Sequence, residues 1–514
     1  MKKIYILSSL LALAAVSCKK SFIELAPLDS PSPGTFFKTE AQLRQGVTAA
    51  YVPLRDLETN DFYMCEMRSD NAHYQTYPSN RGTAYVQKEN VSDFVDDPTN
   101  AITNSEYFAC YSGIARTNSV IGRVDQVTMK TDARNDIDGQ AKFLRAFYYF
   151  KLVRLFGGVP LYLKEVVETE DAFLPRSTVD QVYTQIVLDA QDAVKELAAP
   201  AKFPQSGQAT KGSATMLLAD IYMTQKKYAE AEALLITLPA MGYGLNANYA
   251  DAFLTTNKNS KESLFEVQYL EGTAAGTQPS NFIYQFLPRT STTTLITGTA
   301  TNTSTTGGYD TPTQDLINSY EPGDKRLDAS IAVAEGTYNA SDLLAITANK
   351  SIVGYVAPAG KVGVPYAKKY LHTPHVATNN TNDNWPIYRY ADALLLLAEA
   401  QNEQSKSGAA LINLNLVRAR AGLTASTETD QAKLRDVLAH ERRVELAFEN
   451  HRWHDLVRTG TAISVMSVYA VFAKATYKFL PSNAFTINTD KLLFPIPQSE
   501  RETNPALTQN PGYF

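Results

Sequence analysis

The chain is 514 residues long, 44% hydrophobic and 20% charged, which is ordinary for a globular protein able to bury a large core, and its length alone would allow two to four domains. Its net charge of −5 argues against a nucleic-acid partner, which calls for a basic face. The 29 Tyr, against two Trp, stand among many Asn and Thr and suit a surface for neutral polar ligands; they suit a plain extracytoplasmic protein equally well.

Met1 to Ser17 reads as an export signal, with Lys2 and Lys3 ahead of an apolar run from Ile4 to Val16. That run is too short to span a bilayer, which takes about 20 residues. It ends Ala15-Val16-Ser17-Cys18. Small residues before a cysteine follow the pattern of a bacterial lipobox, so Cys18 is the expected lipidation site; an ordinary secretory signal with an incidental Cys is the plainer alternative. Each acyl methylene buried in lipid adds about 0.8 kcal/mol, so several chains anchor a protein stably. Membrane contact is then through the lipid anchor only, since no later segment is long and apolar enough to cross. Residues 18–33 are the lipidated Cys and a polar tether.

Glu40 to Leu57 is expected as a first helix, and Asn60 to Thr103 mostly as loops. Asn104 to Val124 reads as helical. So does 136–156, where Phe143, Phe147, Phe150 and Val153 share a side and Gly157-Gly158, then Pro160, give the stop. Ser177 or Thr178 caps a helix running to about Leu197. Ser213 to Leu235 reads as a helical hairpin with Ala219, Tyr222, Tyr228, Ala231 and Leu235 at tetratricopeptide spacing. Three or more such units are expected, because one pair of helices cannot bury its own face. Residues 240–385 have poor helical period and dense Thr, Asn and Gly, the pattern of short strands and long loops. Helices resume near Tyr388 and run to about Ala473, before a Pro-rich tail from Leu492. The expected fold class is mainly α: a tetratricopeptide-like superhelix of helical hairpins (units near 38–57, 104–156, 178–236 and 388–473) with an irregular, loop-rich part near 240–385 containing short strands, all in one domain from 34 to 514. Cys65 and Cys110 are free to pair in an oxidising compartment, but spacing does not decide it.

Residues 430–458 form the stretch around which the rest is expected to be built. Read as a helix, it places Leu434, Val437, Leu438, Val444 and Phe448 on one face, with Glu441 and Glu445 beside it one turn apart. Two carboxylates so placed repel unless cations sit close. Arg442, Arg443, Arg452 and Arg458 are local candidates, and Arg418 and Arg420 are candidates from a neighbouring helix. The reading is a charge network that fixes helix packing, the alternative being a pair of catalytic carboxylates. His440, His451 and His454 suggest a metal, but no clear third ligand stands with 451 and 454, so no metal site is assigned.

These pieces, taken with several further strings, resemble the SusD/RagB family of Bacteroidetes outer-membrane lipoproteins. The strings are Arg145 to Phe150, Leu152 to Pro160, Pro175 to Thr178, Arg389-Tyr390-Ala391-Asp392 with Leu394 to Ala400, and Asn415 to Gly422. They continue with Glu441-Arg442-Arg443 before Glu445-Leu446, Arg452-Trp453 before Asp455-Leu456, Pro495-Ile496-Pro497, and Gln509 to Tyr513. The resemblance implies about four tetratricopeptide-like helix pairs with an irregular second half packed on them. It also implies glycan capture at the cell surface, the lipid-anchored protein facing outward as partner of a SusC-like, TonB-dependent outer-membrane transporter. Tyr107 stands where the family usually has Trp, and Lys19-Lys20-Ser21 stands in place of an acidic run.

A glycan site wants flat aromatics for the C–H faces of sugar rings and nearby donors and acceptors for the hydroxyls. Two stretches qualify. In the first, Tyr74, Tyr77 and Tyr85 offer stacking, and Asp70, Asn71, Asn80 and Arg81 offer hydrogen bonds; Asp70 also matches the family's Asp after the first helix. The second runs from Tyr269 to Tyr309 and offers Phe282, Tyr284, Phe286 and Tyr309. Trp385 and Trp453 read as structural. No phosphate loop, nucleotide fingerprint or nucleophile motif is present, and Asp and Asn fall in no calcium-ligand run, so no cofactor and no catalysis are expected. A tetratricopeptide-type scaffold for protein ligands and a peptide-capturing member of the family are the alternatives to glycan capture. A glycoside hydrolase would need two carboxylates about 5–10 Å apart across a cleft, and no such pair stands out.

Overall fold

Local signals start several of the helices. The computed structural model describes residues 36–75 and 82–513. Thr39 and Gln42 form a reciprocal cap that opens α1 (Glu40–Tyr51), and Pro53 divides the expected first helix by starting α2 (Pro53–Glu58). Between Asn60 and Thr103, where loops were expected, stand α3 (Asp61–Cys65) and α4 (Thr83–Ser92). The apolar pattern of α4 is weak, and packing rather than periodicity decides it. Asn100 caps α5 (Ala101–Ile121). α6 (Thr131–Phe156) ends at Gly157, and α7 (Val179–Glu196) opens on a Thr178–Gln181 capping box. The hairpin of α8 (Lys211–Thr224) and α9 (Tyr228–Leu235) follows.

The middle of the chain is built from short pieces: α10 (Phe282–Phe286), α11 (Thr294–Thr297), α12 (Gln314–Ser319) and α13 (Lys325–Ser330). Three small antiparallel sheets join them. β1 (Ala72–His73) pairs with β3 (Thr311–Pro312), and β2 (Ser263–Val267) pairs with β7 (Trp385–Arg389). β4 (Ile331–Tyr338) lies between β5 (Leu344–Ser351) and β6 (Val362–Ala367). Helices return with α14 (Tyr390–Glu403), α15 (Ser407–Ala421) and α16 (Gln431–Glu445), then α17 (Arg452–Arg458), α18 (Ala462–Thr476) and α19 (Gln498–Thr503).

In sequence order, α5 packs on α6, α6 on α7, α7 on α8 and α8 on α9; α9 then meets α14, which packs on α15 and α16. This is the stacked-hairpin layer that the tetratricopeptide spacing predicts. One apolar core takes residues from Ala50 to Leu507 and absorbs both tryptophans. Trp385 lies on Tyr370 with ring centroids 4.7 Å apart and planes 8° from parallel, and Trp453 meets Phe94 edge-on at 5.5 Å.

The stretch 430–458 is not one helix. It breaks after Glu445, and Phe448 and Asn450 turn the chain at φ +65° and +66°. Cys65 and Cys110 are both buried free thiols. Among the described residues no helix is long and apolar enough to cross a membrane. Cys18 and the preceding segment lie outside the described residues.

Candidate ligand-binding site

Glu441 and Glu445 are fully buried and committed to structure. Glu441 accepts from Arg326 at 2.6 Å and from Arg418 at 2.9 Å. Glu445 accepts from Arg389 at 3.0 Å and from Arg326 at 3.2 Å, and also pairs with Arg420. Arg389 continues to Glu262 at 3.0 Å and Glu449 at 2.7 Å. The network therefore ties α16 to α15, β7 and the start of α13, with no face open to a substrate. Arg418 and Arg420 arrive from α15 as expected. The local arginines go elsewhere: Arg442 to Asp392 and Asp455, Arg458 to Glu399 and Asp455, and Arg443 and Arg452 to Asp70. Among the described residues no group of three or more His, Cys, Asp or Glu is placed to hold a metal ion. His454 Nε2 instead lies 3.4 Å from Cys65 Sγ.

Asp70 and Asn71 are buried anchors. Asp70 receives Arg452 at 2.8 and 2.9 Å and Arg443 at 3.0 Å. Burial pushes its carboxyl up, but the two guanidiniums outweigh that and hold it below the usual carboxylate range. Asn71 donates to Glu66 at 2.9 Å and accepts from Arg443 at 2.8 Å. Four aromatics placed at the site by the sequence are also inside. Tyr74 donates to Asp93 at 2.7 Å and stacks on His73. Phe282 packs on Trp385 at 4.8 Å. Tyr284 Oη meets Thr299 and His375, each at 2.7 Å. Tyr309 meets Tyr63 edge-on at 5.1 Å. With 1–3% of their surface exposed, these rings have no free face for a sugar. Phe286 is likewise buried. Tyr77, Asn80 and Arg81 lie outside the described residues.

The two predicted stretches nevertheless meet. The β1–β3 pairing sets His73 opposite Thr311. Gln75 N donates to the Gly308 carbonyl at 2.7 Å, and Arg289 N donates to Gln75 Oε1 at 3.1 Å. Gly308 sits at φ +82°, and a Cβ there would lie 3.1 Å from both Arg289 Cγ and Gln75 Cβ. A close crossing and a left-handed backbone both call for glycine at this point. Beside the junction, half-buried Tyr85 on α4 lies under the Arg289 guanidinium, 5.4 Å from ring centroid. One turn on, Lys88 Nζ stands 5.2 Å from the Tyr63 ring and 4.8 Å from the Tyr309 ring. Burial lowers the Lys88 pKa and the neighbouring Arg289 lowers it further; burial raises the Tyr309 phenol to about 12. The result is a corner of one part-exposed ring and one half-buried lysine, with the Arg289 guanidinium buried against the ring. Lys88 and Arg289 were not singled out in the sequence. The one available signal was the i, i+3 spacing of Tyr85 and Lys88, which is visible only once 83–92 is known to be helical.

A model described as "SusD family" matches residues 205–513, and one described as "Starch-binding associating with outer membrane" matches 22–223. The chain belongs to the SusD family. Members of this family bind glycans without catalysing a reaction on them. "SusD-like protein P2" of Formosa agariphila is 27% identical across the whole of both chains. "Starch-binding protein SusD" of Bacteroides thetaiotaomicron is 24% identical, over 76% of this chain and 75% of its own. A solved structure described as a laminarin-binding SusD-like protein superposes with a TM-score of 0.73 at 26% identity, covering 93% of this chain and 100% of that one.

Proposed function

We propose that this SusD-family chain is an outer-membrane lipoprotein, anchored through Cys18 and displayed outward, that captures oligosaccharide and passes it to a SusC-like, TonB-dependent transporter. The observation that carries the reading is family membership along the chain, shared with relatives described as binding starch and laminarin. The corner at Tyr85 and Lys88, backed by buried Arg289, is the candidate contact surface: a ring for a sugar C–H face and a cationic donor for hydroxyls. Stacking adds about 0.5–1.5 kcal/mol per ring and a hydrogen bond from a charged donor about 1.5–3 kcal/mol, which after the cost of association gives micromolar to millimolar affinity. Such weak binding suits a protein that must release its cargo.

The test is calorimetry of the Cys18→Ala protein against starch-type, laminarin-type and other microbial, algal and plant oligosaccharides. At least one should bind, and Tyr85→Ala should weaken it about tenfold. No binding across the panel, with peptides binding instead, would replace glycan by peptide capture. For the transporter, gentle detergent extraction of the native protein should bring down a large β-barrel protein; recovery as a free monomer, under conditions that preserve other such complexes, would refute delivery.

A further inference from the structure

A cleft of about 540 Å³ lies between Phe253–Leu254, α13, the start of β4, the end of β5 and the segment after β6. It shares no residue with the Tyr85 corner. Its size falls within the range of small-ligand sites. Four lysines and a histidine line it, Lys325, Lys350, Lys368, Lys369 and His372, with Asp328 as the one carboxylate on its wall. This is a local excess of positive charge in a chain of net charge −5.

Three of the five basic side chains are held in internal pairs. Asp328 takes Lys368 at 3.2 Å and the Ser351 hydroxyl. Lys369 is held by Glu449 at 2.6 Å, and His372 by Asp383. The side chains of Lys325 and Lys350 are exposed and make no ion pair or hydrogen bond among the described residues. Clustered like charges repel, and an anion placed among them relieves that repulsion. The same cleft offers apolar surface at exposed Leu254 and at the rim of half-buried Phe253, whose ring also carries Lys369 Nζ at 4.6 Å, and an amide at Asn349.

We propose that this cleft is a second carbohydrate site, selective for saccharides bearing carboxylate or sulfate groups, with Lys325 and Lys350 contacting the anion and Leu254 and Phe253 lying against the sugar ring. The anion and the apolar ring face are read by different walls, so a neutral sugar and a simple inorganic anion each satisfy half of the site.

The Cys18→Ala protein is titrated calorimetrically with trigalacturonate, with a sulfated galactose disaccharide, with neutral galactotriose and with inorganic sulfate. One of the two acidic sugars should bind more tightly than galactotriose and sulfate, and which one does so assigns carboxylate or sulfate. Its affinity should fall as salt rises, because exposed charges are screened. Lys325→Gln/Lys350→Gln should weaken it about tenfold or more, while Tyr85→Ala leaves it unchanged. Both lysines are exposed, so the double variant should melt with the wild type; if it melts early, Lys350→Gln alone, on the edge strand β5, is the variant to read. The proposal is overturned if neither acidic sugar binds, if galactotriose or sulfate binds as well, or if the lysine variants bind like wild type. Loss of binding with Tyr85→Ala instead would move acidic-sugar recognition to the other corner and would leave the glycan-capture reading standing.

Discussion

Replacing Glu445 with Gln takes the charge from a carboxylate that Arg326, Arg389 and Arg420 share at a fully buried position. Breaking a buried ion pair from one side typically costs about 3–5 kcal/mol, because the remaining charges stay buried and uncompensated. The carboxyl's acidity gives a second route to the magnitude. Burial pushes it up, but Arg420, Arg389 and Arg326 outweigh that and hold it at about 2 against an ordinary 4.5; a gap of that size corresponds to about 3 kcal/mol. The chain's length makes its unfolding entropy about 1 kcal/mol/K, so the expected drop is roughly 3 °C in melting temperature at neutral pH. Because the folded carboxyl is the stronger acid, its contribution is complete above the unfolded value and is lost as pH falls towards the folded one. The gap between wild type and Glu445→Gln should therefore shrink on acidification, by roughly 1 kcal/mol at about pH 3.5. Differential scanning calorimetry of both proteins across pH reads this directly. Equal melting at neutral pH, or a gap that stays constant on acidification, would refute the argument that this carboxylate is held ionised by its three arginines.

Asp70→Asn should destabilise by about 3 kcal/mol, since Arg443 and Arg452 lose their shared buried carboxylate; unchanged urea unfolding would show that the pairing is dispensable. Gly308→Ala should cost more than about 1 kcal/mol, because its φ is positive and its Cβ would crowd Arg289 and Gln75, and it should weaken glycan binding as well; calorimetry and thermal melting check the two effects separately. Tyr85→Ala should lower glycan affinity about tenfold with the melting temperature kept, because its ring is only half-buried; wild-type affinity would move the site elsewhere. Cys18→Ala should convert a membrane-bound protein that labels with fatty acid into a soluble one; a wild type that takes no label and stays soluble would refute the anchor.

The helical part was legible because its signals are local. The cap at Thr178, the stop at Gly157 and the small and aromatic residues of the 213–235 hairpin act within a turn or two of chain, and the structure uses them as read. The structural role of Glu441 and Glu445 was also legible, since two adjacent buried acids require cations. Which cations could not be read. Arg326 lies 115 residues from Glu441, and Arg389 lies 56 residues from Glu445; only the folded chain brings them together.

The candidate ligand site divides the same way. Composition and polar context marked the stretches near 70–85 and 269–309, and the fold joins them through Gln75, Arg289 and Gly308. Irregular segments have no period from which an inward side chain can be told from an outward one, so Tyr74, Phe282, Tyr284 and Tyr309 looked as available as Tyr85 and are core residues instead. Family and helical layer are properties of short strings and their order, and the sequence by itself determines them. The exposure of a given tyrosine and the clustering of four lysines from α13, β5 and the segment after β6 depend on contacts between segments far apart in the chain, and only the tertiary structure decided them.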